Sequence, residues 1–553
     1  MIVRTSTYCR LRLSNPLLSR KRPLDASRRP GVVLVAVLIV VVLLSLAAYH
    51  YSELMMAEYQ AMDSYTRTAQ AKGLADSGVH FTAAILSDPN SYTNTLNSNP
   101  WDNASNFQGV LVSDNSSPGR RGRFSILSLR DVDDPAVTSQ PYRFGVTDEA
   151  GKLNLNSLLT LATNDTDRQN MLAMLPNMTP DVANSILDWL DSKSTIPRTN
   201  GAKDEYYPSL NPAYHVKNGP LDSLDELLLV KGLTAQLLYG NDRNRNGVLD
   251  PDEDPGDGSV DMGWQQYLTI YSREPNISSA GAPRIYLNST DLGTLYTNLE
   301  TAVGGDLAQF LVAYRLYGPA AGNTGAGGAA ATKIQKLEGA AAQSVGTQIA
   351  TDRTQGQQKK LTAIKGLFAL TTAAVSVPVQ SNGRTQNQTL PNPLADPAQQ
   401  KMLLPLLFDL TTTSKSSDLT PRINVNTAPR VVLSMLTSTA IKASLLQDAD
   451  VQAILDQRPP ISSTVPPDPI YQTPTWLLTE ANLPVKTLTA LESFITTRTQ
   501  VYRFQVQGYY DAPGPIARVE AVVDTNSGRP RIVYYRDLAE LGRGFNLANQ
   551  NRP

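Results

Sequence analysis

An unbroken apolar run from Val32 to Ala48, interrupted only by Ser45, constrains this chain more than any other feature of its 553 residues. Its length falls near the roughly 17 to 25 residues with which a helix crosses a bilayer. The leader before it carries Arg4, Arg10, Arg12, Arg20, Lys21, Arg22, Arg28 and Arg29 against one acid, Asp25. That asymmetry holds the N-terminus in the cytoplasm and sends everything beyond Ala48 outward. The helical spacing then continues through Met55, Tyr59 and Met62, and through Leu74, Phe81 and Ile85, with no proline between Val32 and Leu86. Asp88-Pro89 ends it. A helix over 32–88 would be roughly 80 Å long. Its segment 32–49 would lie in lipid, and a folded head is the economical cover for the remainder.

A secretory signal is cut after its apolar run, at small residues. Leu46-Ala47-Ala48 offers only a poor version of such a site, and the small residue Gly31 stands before the run instead. The arrangement resembles a type IV prepilin leader, cut by prepilin peptidase between Gly31 and Val32 so that the apolar helix stays as an anchor. An ordinary single-pass anchor without processing is the alternative.

A chain of this length holds roughly two to four domains. Its net charge of -1 supplies no basic field that would draw the exported part to nucleic acid. Cys9, the one cysteine, lies in the leader, so the exported part has no disulfides and relies on core burial, partners or metal. The three histidines, His50, His80 and His215, do not make a zinc centre, and only His215 lies outside the N-terminal helix. No nucleophile–base–acid set, phosphate-cradling glycine loop or zinc spacing occurs, so the chain reads as a non-enzyme.

Past the helix, 90–106 reads as loop, and strands are expected over 123–129 and 142–147. Helical patterns cover 168–175, 179–190, 223–230 and 234–238, with Thr179-Pro180-Asp181 as an N-cap followed by proline at the first helical position. The Gly-, Ala- and Gln-rich segment 318–358 reads as a flexible insertion or a poorly packed helix, and 376–400 as loop. Helices return over 429–455, 474–480 and 485–497, and strands close the chain over 502–510, 516–524 and 531–535. Strands thus flank a long helical interior, which makes a sheet split by an α-rich insertion. Within that interior Leu153–Ser157, Ile285–Ser289 and Ile423–Thr427 share one form, an extended apolar pair running into Asn-Ser or Asn-Thr. We read these as three similar helix starts capped by Asn, Ser or Thr.

One chemical motif is sharp. From Asp242 to Glu253 oxygen side chains fall at the first, third, fifth, ninth and twelfth positions, with Gly247 at the sixth. That is the spacing of a calcium loop of the EF-hand kind. Asp242, Asn244 and Asn246 would ligate, Val248 would offer its carbonyl, Asp250 would act directly or through water, and Glu253 would close the shell. Pro251 stands where an exit helix should begin, so this is an EF-like loop in another frame, and Asp252, Asp254 or Asp257 could replace Glu253. A solvated acidic turn is the plain alternative. Leu229–Thr234 resembles a helix-hairpin-helix turn, yet Asp222, Asp225 and Glu226 around it repel phosphate.

As a set, several segments resemble the minor pseudopilins of type II secretion systems, in the protein K family. They are the Gly31-Val32 junction, Asp148–Asn156, Asp188–Asp191, Asp204–Tyr207, Pro220–Leu227 and Ile423–Pro429. The resemblance implies an α+β, pilin-like fold: a long N-terminal transmembrane helix on a small antiparallel sheet, with a large, mostly helical domain inserted between strands. The parts would be a leader (1–31), the helix (32–88), the first part of the head (89–147), the insertion (148–500) and the closing strands (501–553). It further implies bound calcium, N-methylation after cleavage, and an inner-membrane anchor with the C-terminal part in the periplasm. Its partners would be prepilin peptidase, other minor pseudopilins, the major pseudopilin and the inner-membrane assembly platform. The family is thought to sit at the pseudopilus tip and to start its assembly. Ordinary pilins carry Glu at the fifth mature position to neutralise a neighbour's N-terminal amine in lipid; here that position is Ala36. A carboxylate in lipid without a partner is costly, so a subunit with nothing above it should lack one. Two other readings stay open: a membrane-anchored protein that binds or takes up DNA, and a minor pilin of a type IV pilus.

Overall fold

The computed structural model describes residues 30–134, 136–137, 139–256, 258–320, 340–355, 361–381, 384–461, 466–526, 528–542, 544–545 and 547. The leader before Pro30 and most of 318–358 lie outside them. Pro30–Ser87 is one continuous helix and ends immediately before Asp88-Pro89, as the proline requires. Val32 to Leu46 is exposed along its length, and this helix is long and apolar enough to cross a membrane.

From Arg67 onward the chain forms one compact unit. Its sheet is antiparallel, in the order Val110–Ser113, Gly122–Leu129, Val501–Tyr510, Ala517–Asp524, Arg531–Asp537. Val506 pairs with Ile126 on one side and Val519 on the other. Neighbouring strands therefore come from opposite ends of the sequence, and everything between them is carried as an insertion. The alternating apolar set Phe504, Val506, Val519, Ala521 and Val523 packs with Ala71, Ala75 and Val79 of the helix. Backbone meets backbone at Gly508, where a Cβ would lie 2.4 Å from the carbonyl oxygen of Ala71. Only a residue without a side chain lets the two backbones meet there. The fold is thus α+β and pilin-like.

The other face of the sheet departs from a simple expectation. Arg503, Gln505, Arg518 and Glu520 alternate with the apolar set, as on a wet surface, yet Gln505, Arg518 and Glu520 are buried and Arg503 nearly so. Segments of the insertion cover them. A second apolar core lies inside the insertion, from Leu153 to Ile495, and includes Trp189, Trp264 and Trp476.

The three similar segments become three similar structures. Leu153–Asn154 pairs in parallel with Leu268–Thr269, Ile285–Tyr286 with Thr411–Thr412, and Ile423–Asn424 with Ile495–Thr496. In each, an asparagine two residues further on reaches across the chain. Asn156 donates to the Leu221 carbonyl at 2.9 Å and accepts from the Leu221 amide at 2.7 Å. Asn288 does the same with Ile364, at 2.9 and 2.8 Å. Asn426 donates to the Tyr471 carbonyl and accepts from the Trp476 indole. Helix capping is the smaller part of their work: Asn154 caps Leu155–Leu161, but Asp291 and Pro429 stand at the other two caps.

Several local expectations change. The stretch 90–106 contains a π-helical turn, Ser91–Thr95, and a short helix, Ala104–Phe107. The strand expected over 142–147 is two short pieces, Tyr142–Arg143 and Thr147–Asp148. The stretch 376–400 is not a loop: Val375–Ser381 and Arg384–Leu390 form an antiparallel hairpin, and a helix runs from Pro397 to Leu410. The described part of 318–358 holds a helix, Ala340–Gln355, with Val345 and Ile349 buried.

Candidate metal centre

The expected calcium loop is a compact knot, and Gly247 turns it with φ of +70°. Asp242 is 1% exposed. Its carboxylate accepts from the amides of Asn246 at 3.0 Å and Gly247 at 2.8 Å. Asn244 and Asn246 both donate to Asp250, at 2.5 and 3.2 Å. Glu253 accepts from the Asn244 amide at 3.1 Å through Oε1. Asp242, Asn244, Asn246, Asp250 and Glu253 are thus tied into one local hydrogen-bond network, while Val248 is 38% exposed. No exit helix follows, since Pro251 stands in a turn. Of the acids that could replace Glu253, Asp254 accepts from Gly256 and Gly258, and Asp257 lies outside the described residues.

The residues fit a divalent cation in one telling respect. Glu253 is buried, and its Oε2 has no hydrogen-bond partner. A buried carboxylate oxygen left unpaired costs free energy unless a cation or donor meets it. Burial, with the Glu253 charge nearby, also pushes the Asp242 carboxyl above its ordinary range. Two carboxylates held close in a buried loop attract positive charge, and the Arg518 guanidinium beside Asp242 supplies part of it. Among the described residues no three His, Cys, Asp or Glu side chains group as a metal site. Calcium takes hard oxygens, which these residue types offer; here the Asn244 and Asn246 side-chain oxygens accept from the Asn246 and Val248 amides.

Sequence reading did not reveal where the loop sits. Its backbone is gripped by the polar face of the sheet. Gln505 donates to the Arg245 carbonyl at 3.1 Å, and Arg518 donates to the Asn244 carbonyl. Arg245 itself has φ of +58° and pairs with Glu520 at 3.4 Å. Glu520 in turn meets Arg503, which pairs with Glu149 at 2.8 Å, and Glu149 meets Lys152 at 3.1 Å. Burial works to raise Glu149, but Arg503 and then Lys152 overcome it and hold the carboxyl down at about 2. Next to it, Asp148 accepts from Asn424, Thr427 and Thr499 through one oxygen and from the Ala150 amide through the other. Burial nevertheless pushes Asp148 up to about 6.

The hairpin after Leu229 is a packing device. Its first arm is a 3-10 turn, Leu224–Leu229, and its second a five-residue helix, Ala235–Tyr239. Lys231 donates to the carbonyls of Asn200 and Gly201 and lies over the Tyr206 ring. Asp225 binds Arg536 of the last strand at 2.8 Å.

At the N-terminus, Gly31, Val32 and Ala36 fall within the first turns of the long helix, with Val32 64% exposed.

Residues 151–239 match the family described as type II secretion system (T2SS), protein K. No curated protein matches the chain. A solved structure that matches is the crystal structure of the GspK-GspI-GspJ complex from the enterotoxigenic Escherichia coli type 2 secretion system. The identity is 10%, the match covers 87% of this chain and 99% of that one, and the TM-score is 0.35.

Proposed function

From a chain that carries a protein K segment of the type II secretion system, we propose a minor pseudopilin that caps the pseudopilus and starts its assembly. Such a protein is a structural component and not an enzyme. The carrying observation is topological: the protein K segment lies within chain inserted between two strands that are neighbours in the sheet on which the helix packs. An insertion of that bulk has room at the end of a helical stack and none within it. Ala36 agrees, since a terminal subunit has no neighbouring amine to neutralise. In this reading prepilin peptidase cuts after Gly31 and methylates Val32, the anchor stays in the inner membrane, and the rest faces the periplasm. Its partners are the other minor pseudopilins, the major pseudopilin and the assembly platform. Mass spectrometry of membrane-extracted native protein should find a chain starting at methylated Val32, and deletion should abolish secretion and pseudopilus initiation. An intact Met1, or a product starting beyond Ala48, would defeat the proposal.

The same reading makes the Asp242–Glu253 loop a calcium staple that holds the insertion on the sheet. Saturating calcium at a hundred times its dissociation constant should add about 2.7 kcal/mol of stability. Calorimetry should register heat with calcium, and Asp242→Ala or Asn246→Ala should remove it. No heat in the unmutated protein ends the idea.

A further inference from the structure

Inside the insertion, away from the calcium loop, lies a polar cleft of about 440 Å³ bounded in part by the strand pairs at Thr411–Thr412 and Thr496. That volume is in the range of small-molecule sites, about 300–1,000 Å³. Its wall is unusual in carrying three arginines and a lysine, Arg284, Arg422, Arg498 and Lys365. Two of the arginines are spent. Arg422 grips Glu274 with two nitrogens, one at 2.9 Å. Arg498 meets Asp409 at 2.6 Å.

Arg284 is different. Its Nε donates to the Asp409 carbonyl at 3.0 Å, and it makes no ion pair among the described residues. Burial and then the neighbouring Arg498 push its pKa down to about 10, so it remains charged at neutral pH with no anion of its own. Nor are the nearby carboxylates free. Asp418 is held by Arg273 at 2.9 Å, Asp409 accepts from Ser279, and Glu492 accepts from the amides of Leu367 and Phe368. The spare positive charge is therefore Arg284, with exposed Lys365 at the rim. Hydroxyls such as Thr413 and Thr497 line the cleft beside Leu367, Phe408, Leu419 and Pro474.

We propose that this cleft binds a small polar ligand by its carboxylate, received in the fork of Arg284 with Lys365 at the mouth. A guanidinium fork matches the two oxygens of a carboxylate. Glu492 on the same wall, held by backbone amides, opposes the second charge of a phosphate monoester. The proposal does not depend on the place of the chain in a pseudopilus.

Titration calorimetry on the detergent-solubilised full chain tests it with gluconate against glucose, trialanine acid against trialanine amide, and inorganic phosphate. At least one carboxylated probe should bind, with its neutral counterpart about tenfold weaker or worse. Gluconate alone identifies a hydroxy acid, the peptide acid alone identifies a peptide C-terminus, and both together identify the carboxylate as the recognised group. Arg284→Gln should weaken binding by about tenfold, and Lys365→Met on the exposed rim by less. The proposal is overturned if no carboxylated probe binds, if the neutral counterparts or phosphate bind equally well, or if a folded Arg284→Gln binds unchanged. Should Arg284→Gln fail to fold, unchanged binding in Lys365→Met overturns it.

Discussion

The sheet and the three repeated segments of the insertion order their backbones by opposite means. In the sheet, the 10-residue Val501–Tyr510 and the 8-residue Ala517–Asp524 share a continuous ladder. In the insertion, the three parallel pairs are two residues long, and side chains do the fastening, with Asn156, Asn288 and Asn426 each binding two distant groups. A ladder spreads its free energy over many bonds, so no single strand residue is critical for hydrogen bonding. A clamp concentrates it, so each asparagine is. The exception in the sheet is steric, at the place where helix and strand touch.

The largest effect should therefore come from Gly508→Val. Its side chain would meet the Ala71 carbonyl and the Ala75 amide, and destabilisation of about 3 kcal/mol or more is expected from such overpacking. If the two cores are separable, urea unfolding followed at Trp101 should shift while the signal from Trp189 and Trp476 stays. A common shift of all three would merge the two regions into one cooperative unit. Asn288→Leu comes next, at about 2 kcal/mol, because it strands both the amide and the carbonyl of Ile364. Hydrogen exchange should quicken around Ile364 and leave the sheet ladder protected; loss of protection in the sheet would contradict the division of labour.

A pH series sharpens the comparison at the joint. Asp148 has its carboxyl raised from 3.8 to about 6 by burial, so the folded state holds that proton more tightly than the unfolded one. Its contribution is fully present below about pH 4 and is lost as pH rises toward about 6, with a slope of at most about 1.4 kcal/mol per pH unit. Glu149 acts in the other sense: its contribution is present above about pH 4.5 and is lost as pH falls toward about 2. Subtracting the Asp148→Asn stability curve from that of the unmutated protein should isolate the first slope, and a flat difference between pH 4 and 6 would refute the assignment. The smallest effect belongs to Gln386→Ala on the exposed strand of the hairpin, expected within about 0.5 kcal/mol by chemical denaturation.

The sequence announces whatever is periodic or locally spaced. The long helix and the closing strands are legible because their physics acts between near neighbours, and the oxygen spacing of Asp242–Glu253 is local in the same way. The hairpin at 375–390 was not, since only one of its strands alternates. Val375, Val377 and Val379 are buried, but Arg384 to Thr389 faces outward or is half-buried and reads as polar loop. Two-residue strands are too short for any period to register. The seat of the Asp242–Glu253 loop is illegible for a different reason: Asn244 and Arg518 are 274 positions apart, and nothing local to either names the other. Nor does alternation along Val501–Asp524 tell a solvent-facing polar row from one that a distant segment covers.

The interrupted sheet also fixes an order of events. Ser125 and Tyr509 are 384 positions apart yet share a hydrogen bond in adjacent strands. As the chain is made, strand Gly122–Leu129 must wait, its apolar face unclaimed, until nearly the whole polypeptide has emerged. Contacts of such separation form late and slowly. The inserted region, complete in its own core, is free to condense first and then deliver the closing strands to their waiting neighbour, which makes it the nursery of the sheet as well as its cargo.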